Sequence, residues 1–345
     1  MKILMIGLGS IGQRHLRNIK RVLGEDAEII AYRVRGLKRT FSDTMQIREN
    51  VSLEEEFHIK AFSSLEEALA EKPQIAFITN LTNLHIPCAI ECAKAGCHLF
   101  LEKPISDDDT GIDELKAIVK EKGIKVFVGY QNRLNPGIKM VKEVLEKGEL
   151  GRILSAYAVV GERLKTMHTY EDYKETYMAR KDMGGGVVTN QLVHEMDYLY
   201  YLFGKPIDVY AFGGTQGNLS IDVEDNCDGI FTMEYAGGKL GVAVHADFYQ
   251  SPPSRYVKVV GEKGQIEADI IRNKVVKTVE DQTEEFEFPD FARNDMFIEE
   301  LKLFLECVEN NTTEAITLED GIVSLKMAMA IKESMKTGGL VHVNL

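Results

Sequence analysis

The chain has 345 residues, 44% of them hydrophobic and 28% charged, and a formal charge of −13. That length supports two domains with separate cores and a cleft between them, and no run approaches the roughly 20 apolar residues of a membrane helix. The negative field disfavours nucleic acid, and five cysteines without framework spacing or an export signal point to free thiols in a cytoplasmic, soluble chain.

Ile3 to Ile6 reads as a first strand that runs directly into Gly7-Leu8-Gly9-Ser10-Ile11-Gly12. In such a fingerprint the first glycine permits a tight turn, the second lets backbone approach a pyrophosphate, and the third lets helix pack on strand. The helix opening at Ser10 and Ile11 then presents its amino end to the phosphates. A second strand, Ala27 to Tyr32, ends without the Asp or Glu that would hold a ribose 2′-hydroxyl and carries Arg33 and Arg35 instead. Guanidiniums in place of a carboxylate favour a 2′-phosphate, so NADP is expected and NAD is the alternative.

Apolar runs at Ile75 to Thr79, Leu99 to Leu101 and Lys125 to Val128 alternate with helical stretches, the mark of a doubly wound parallel sheet. Cys88, Cys92 and Cys97 lie near His85 and His98, yet the spacing reads as a small-residue helix ending at Gly96, and no metal is expected. Glu102-Lys103-Pro104 follows the strand ending at Leu101, at the sheet edge a nicotinamide would reach. Lys103 there can hydrogen-bond a hydroxyl or keto oxygen and share in proton transfer, with Pro104 fixing the turn through a cis bond.

Beyond residue 150 the pattern changes to hairpins: Thr232 to Tyr235 with Leu240 to His245, and Tyr256 to Val260 with Gln265 to Ala268. Helices expected at Gly186 to Phe203, Asn294 to Val308 and Leu318 to Met335 complete an α+β domain with one sheet face left over, which favours a homodimer or homotetramer. The boundaries expected are 1–127 for the nucleotide domain and 128–345 for the substrate and oligomerisation domain. Gly184-Gly185-Gly186 leads into a helix on which Asn190, His194 and Asp197 recur at i, i+4 and i+7. His194 is placed to carry a proton near neutral pH.

These motifs, with Ile78 to His85, Ala95-Gly96-Cys97-His98 and Asn132-Arg133-Leu134-Asn135-Pro136, occur in an order that resembles the glucose-fructose oxidoreductase and inositol dehydrogenase (Gfo/Idh/MocA) family over nearly the whole chain. The resemblance implies a Rossmann domain, a second domain with a large open and mostly antiparallel sheet, and NAD(P)-dependent chemistry on sugars, cyclitols or nucleotide sugars. It assigns Gly7, Gly9, Ser10, Ile11 and Gly12 to the pyrophosphate turn and Thr79, Asn80 and His85 to the adenosine side. Glu102 and Lys103 fall at the nicotinamide end, Gln131 is a further candidate cofactor contact, and Arg180 matches a cofactor-contacting Arg. His194 matches the catalytic histidine, with Asn190 where many members have Asp; Asn can hold geometry but accepts no proton. Arg133, Arg163 and Tyr177 join Lys103, Asn190 and His194 as candidate substrate contacts. A glycosidase using transient oxidation and elimination, or an NADP(H)-binding regulator without turnover, are the alternatives.

Overall fold

The computed structural model describes residues 1–42, 46–167 and 169–345, apart from the Glu25 side chain. The chain forms two compact units, residues 1–129 with 293–321, and residues 130–292 with 322–345. The first transition thus falls two residues beyond the expected 127. The segment Arg293–Gly321, expected in the second domain, belongs with the first unit.

The first unit opens with β1 (Lys2–Ile6), α1 (Ser10–Leu23) and β2 (Glu28–Tyr32). A small hairpin, β3 (Arg39–Phe41) and β4 (Ile47–Glu49), precedes α2 (Leu53–Phe57), β5 (Lys60–Phe62) and α3 (Leu65–Ala70). Then come β6 (Ile75–Ile78), α4 (His85–Lys94), β7 (His98–Leu101), α5 (Ile112–Lys122) and β8 (Val126–Val128). Six strands form one parallel sheet in the order β5-β2-β1-β6-β7-β8. Its central strands are apolar at nearly every position because both faces are covered: Ile3 to Ile6, Ile75 to Ile78 and Leu99 to Leu101 are all 0% exposed. The order reverses between β1 and β6, so the loops after these strands flank the switch point where nucleotides bind in such sheets.

The second unit contains α6 (Pro136–Glu146), β9 (Ile153–Gly161), α7 (Leu164–Met167), α8 (Val193–Phe203), β10 (Pro206–Gly214), β11 (Asn226–Tyr235) and β12 (Gly238–Asp247). It continues through β13 (Ser254–Gly261), β14 (Gly264–Asp269), β15 (Lys274–Val279) and β16 (Gln282–Glu287). The chain then gives α9 (Arg293–Asn310) and the first turn of α10 (Leu318–Thr337) to the first unit, and returns with the rest of α10 and β17 (Val341–His342). The resulting nine-stranded sheet runs β16-β15-β14-β13-β9-β12-β11-β10-β17, antiparallel except where β9 and β12 pair in parallel. Along β11 buried and exposed residues alternate, as expected for a sheet with one covered face. The open face carries a row set by register, Tyr210 opposite Ile230, Ile230 opposite Ala243 and Ala243 opposite Tyr157.

The segment 293–321 joins the first unit through side chains that complement α1. Asn294 on α9 accepts from Arg14 at 3.1 Å and donates to Asn18 at 2.9 Å, and the Arg14 guanidinium lies 4.9 Å from the Phe297 ring centre. Deeper in, Phe77 stacks on Phe100 at 4.8 Å, Phe100 on Phe127 at 5.7 Å, and Phe304 meets both Phe77 and Phe100 edge-on. Each such pair contributes ~0.5–1.5 kcal/mol beyond its buried area. Among the described residues no helix is long and apolar enough to cross a membrane.

Candidate active site

The glycine turn is shaped by what lies against it. Gly7 has φ +86°, and a Cβ on it would sit 2.8 Å from Asn80 Cα. One on Gly12 would sit 2.3 Å from the Gly7 carbonyl oxygen and 2.6 Å from Thr79 Oγ1. Gly9 differs, with nothing within 4 Å of its added Cβ. This is a cradle closed at two glycines and open at the third, so the residues fit a pyrophosphate drawn close to Gly9 and the amino end of α1 at Ser10 and Ile11. The Thr79 hydroxyl locks the turn from the neighbouring strand, donating to Gly7 O at 2.7 Å and Ile6 O at 3.0 Å.

At the end of β2, Arg33 and Arg35 behave differently. The Arg33 side chain is 8% exposed, paired with Glu54 and donating to Leu37 O at 2.6 Å, whereas Arg35 is exposed. Sequence reading grouped the two and missed Glu54, which stands at the start of α2 and holds the Arg33 fork in place.

The adenosine-side loop and the Lys103 turn are stitched together by His85. Its Nδ1 lies 2.8 Å from Pro104 O and its Nε2 3.1 Å from Asn80 O, and the ring is 2% exposed. Burial lowers the His85 pKa and outweighs those carbonyls, which pull the other way. His85 therefore serves as a clamp between two loops. Asn80 donates to Cys88 Sγ at 3.3 Å, and all five cysteines are free thiols.

Glu102 closes β7 and is 5% exposed. One carboxyl oxygen accepts the Lys103 N–H at 3.1 Å and the other lies 2.8 Å from His15 Nε2. Burial, the largest single effect, would raise its pKa; the His15 hydrogen bond and the nearby Lys103 charge help bring it below the usual value. A charged carboxylate thus anchors the backbone of Lys103, whose peptide bond to Pro104 is cis.

In the second unit the expected helix Gly186 to Phe203 is interrupted. Residues Val188–Leu192 form a π-helical turn before α8 begins at Val193. Such turns insert a residue into a helix and are frequent at functional sites. Asn190 Nδ2 points back to Gly186 O at 3.1 Å and Gly184 O at 3.4 Å, so its amide holds the glycine turn. Glu224 reinforces it by accepting the Val188 N–H at 3.2 Å. His194 is 5% exposed with its ring edge-on to Tyr130, centroids 6.2 Å apart.

The remaining candidates divide by their partners. Arg133, 6% exposed, makes a bidentate pair with Asp197 at 2.8 and 2.7 Å and lies 5.1 Å from the Tyr201 ring centre. Both side chains of that pair are buried, with Asp197 0% exposed. Arg180 is held by Asp182 at 3.0 and 2.8 Å and by Glu175 at 3.2 Å. Gln131 is buried, and Arg163 and Tyr177 are exposed. Among the described residues no three His, Cys, Asp or Glu side chains form a metal-holding group.

Known proteins match this arrangement at both ends. Residues 1–130 match the Gfo/Idh/MocA family model described as oxidoreductase family, NAD-binding Rossmann fold, and residues 142–345 match the C-terminal alpha/beta domain of the same family. The chain is 27% identical to myo-inositol 2-dehydrogenase of Thermotoga maritima, covering 97% of this chain and 96% of the relative. It is 25% identical to scyllo-inositol 2-dehydrogenase (NAD(+)) of Bacillus subtilis, covering 100% and 97%. Among solved structures, levoglucosan dehydrogenase in complex with NADH superposes with a TM-score of 0.83 at 19% identity, covering 100% of this chain and 99% of that one. The WlbA dehydrogenase of Bordetella pertussis, in complex with NADH and UDP-GlcNAcA, gives 0.80 at 22% identity over 100% and 99%. With both family domains matched, the nucleotide cradle in the first and the glycine-led helix in the second, the chain belongs to the Gfo/Idh/MocA oxidoreductase family and is an NAD(P)-dependent dehydrogenase.

Proposed function

We propose that the enzyme moves a hydride between NADP(H) and a secondary alcohol or ketone of a sugar, cyclitol or nucleotide-sugar-like substrate. The observation that carries this reading is the connected set Gly7, Asn80, His85, Pro104 and Lys103, which ties the pyrophosphate turn to the lysine turn within one unit. Bound cofactor supplies or accepts the hydride. Lys103 holds the reacting oxygen by a charge-assisted hydrogen bond, His194 takes the hydroxyl proton as the alcohol becomes a ketone, and Asn190 keeps the glycine turn beneath His194. The relatives named for inositols, levoglucosan and a UDP-sugar support this substrate class. A panel of inositols, anhydrosugars, free sugars and nucleotide sugars, followed by nicotinamide absorbance with NADP and NAD, tests it; turnover on none of them refutes it.

The preference for NADP rests on Tyr32, Arg33 and Arg35 standing where an NAD site places a carboxylate. With Arg33 tied to Glu54, Arg35 supplies the freely presented guanidinium. Titration calorimetry is expected to show NADPH binding more tightly than NADH, and Arg35→Ala to narrow the gap by about tenfold, the scale of one charge-assisted hydrogen bond. Equal or reversed affinities in the unaltered enzyme reject the preference.

We also propose that copies associate through the open sheet. Phe212 and Ile230 on that face are 64% and 59% exposed, and Tyr157 and Tyr210 extend the row. Sedimentation is expected to give a dimer or tetramer that Ile230→Lys dissociates; a monomeric unaltered chain would refute this.

A further inference from the structure

One buried acid in the first unit has no part in the reading above. Glu300 on α9 is 0% exposed, and neither carboxyl oxygen has a hydrogen-bond partner among the described residues. A charge in that position would be uncompensated, so the group carries its proton. Burial first, and then the nearby Glu102 charge, push its pKa well above the usual carboxyl range.

The same interior holds the complementary group. His15 is also 0% exposed, ringed by Phe100, Phe77 and Phe297 at 4.8, 5.6 and 5.9 Å, and Phe297 precedes Glu300 by one turn of α9. The Glu102 carboxylate only accepts, so His15 Nε2 bears a proton, and in the neutral ring Nδ1 is left as a lone pair. That Nδ1 has no hydrogen-bond partner among the described residues. A proton to give on α9 and a lone pair to receive it on α1 are thus linked through Phe297, which meets the His15 ring and stands one turn before Glu300. The titratable groups that face Glu102 are His15 from α1, Lys103 from its own turn and His85 from α4, with Glu300 approaching from α9.

We propose that Glu300 is a positioning residue for Lys103: it donates its proton toward His15 Nδ1 across one bridging water, and so fixes the tautomer that grips Glu102 and the turn carrying Lys103. This rests on the reading of Lys103 as the group that holds the substrate oxygen. Only one negative charge, on Glu102, then stands behind the Lys103 backbone.

Infrared difference spectra of the NADP-bound enzyme and its Glu300→Gln variant between pH 7 and pH 9 provide the direct test. A protonated-carboxyl C=O band is expected in the unaltered enzyme and absent in the variant. In kinetics, Glu300→Leu is expected to lower kcat by about tenfold, the scale of one hydrogen bond to a charged network, and to displace a limb of the pH–rate profile. Glu300→Gln, whose amide can still donate toward Nδ1, is expected to recover both. No such band, a Leu variant with unaltered kcat and pH profile, or a Gln variant as impaired as Leu overturns the proposal. Lys103→Met separates the two readings: retained turnover in it refutes the role given to Lys103 while the band still reports on Glu300. A missing band with an inactive Lys103→Met enzyme refutes the Glu300 proposal alone.

Discussion

His194→Ala is expected to lower kcat by about 10² or more while leaving cofactor affinity near that of the unaltered enzyme. The proposed loss is specific to proton transfer, because His194 is the imidazole that follows the π-helical turn and the only base proposed for the substrate hydroxyl. Asn190, four residues earlier, cannot substitute for it, since its amide donates to Gly184 and Gly186 and accepts no proton. A carboxylate in its place would face those same two carbonyl oxygens, a repulsive arrangement. Steady-state kinetics over pH 6 to 9 with the best substrate of the panel is the measurement. Turnover near that of the unaltered enzyme removes His194 from the mechanism, whatever happens to KM.

The second large effect separates two glycines of one fingerprint. Gly12→Ala places a methyl 2.3 Å from Gly7 O and 2.6 Å from Thr79 Oγ1, so the turn must open. Overpacking of this kind costs ~1–3 kcal/mol, and the apo enzyme is expected to melt several degrees lower and to lose dinucleotide binding. Gly9→Ala meets nothing within 4 Å, so its melting point stays near that of the parent. Its cofactor affinity nevertheless falls, because the methyl occupies the space a pyrophosphate would approach through. Thermal melts with and without NADP distinguish the cases. Unchanged melting in Gly12→Ala, or unchanged NADP affinity in Gly9→Ala, contradicts the cradle described above.

The first unit's main strands were legible because a parallel sheet covered on both faces imposes continuous apolar runs, and Ile3 to Ile6 and Ile75 to Ile78 are such runs. β5 was not, since Lys60–Phe62 is only three residues long at the sheet edge and none of them is fully buried. The first two hairpins of the large sheet showed in their turn residues, whereas β15 and β16 carry too many Lys and Glu residues to show a buried face. In the segment leading through His194, Val188, Leu192, Met196, Leu199 and Phe203 recur at helical spacing as one apolar stripe. A π-helical turn leaves such a stripe nearly intact, so periodicity did not reveal it.

The site shows the same division. Motif residues such as Gly7, Gly12 and Glu102 have partners close by in the fold for reasons their types announce. The pairing of Arg133 with Asp197, or of Arg33 with Glu54, joins distant parts of the chain and left no local signal. Likewise α9 is an amphipathic helix, and amphipathicity tells which side is buried without telling which sheet buries it.

That return of Arg293–Gly321 to the first unit has a consequence for biosynthesis. Met1–Gly129 is synthesised early, yet part of its aromatic core, Phe297 and Phe304, is made only after roughly 170 more residues. At ~5–20 residues per second this is a wait of about 10–35 s. Throughout it the nascent nucleotide unit exposes the surface that α9 covers, and is a natural client for chaperones until the chain has passed residue 321.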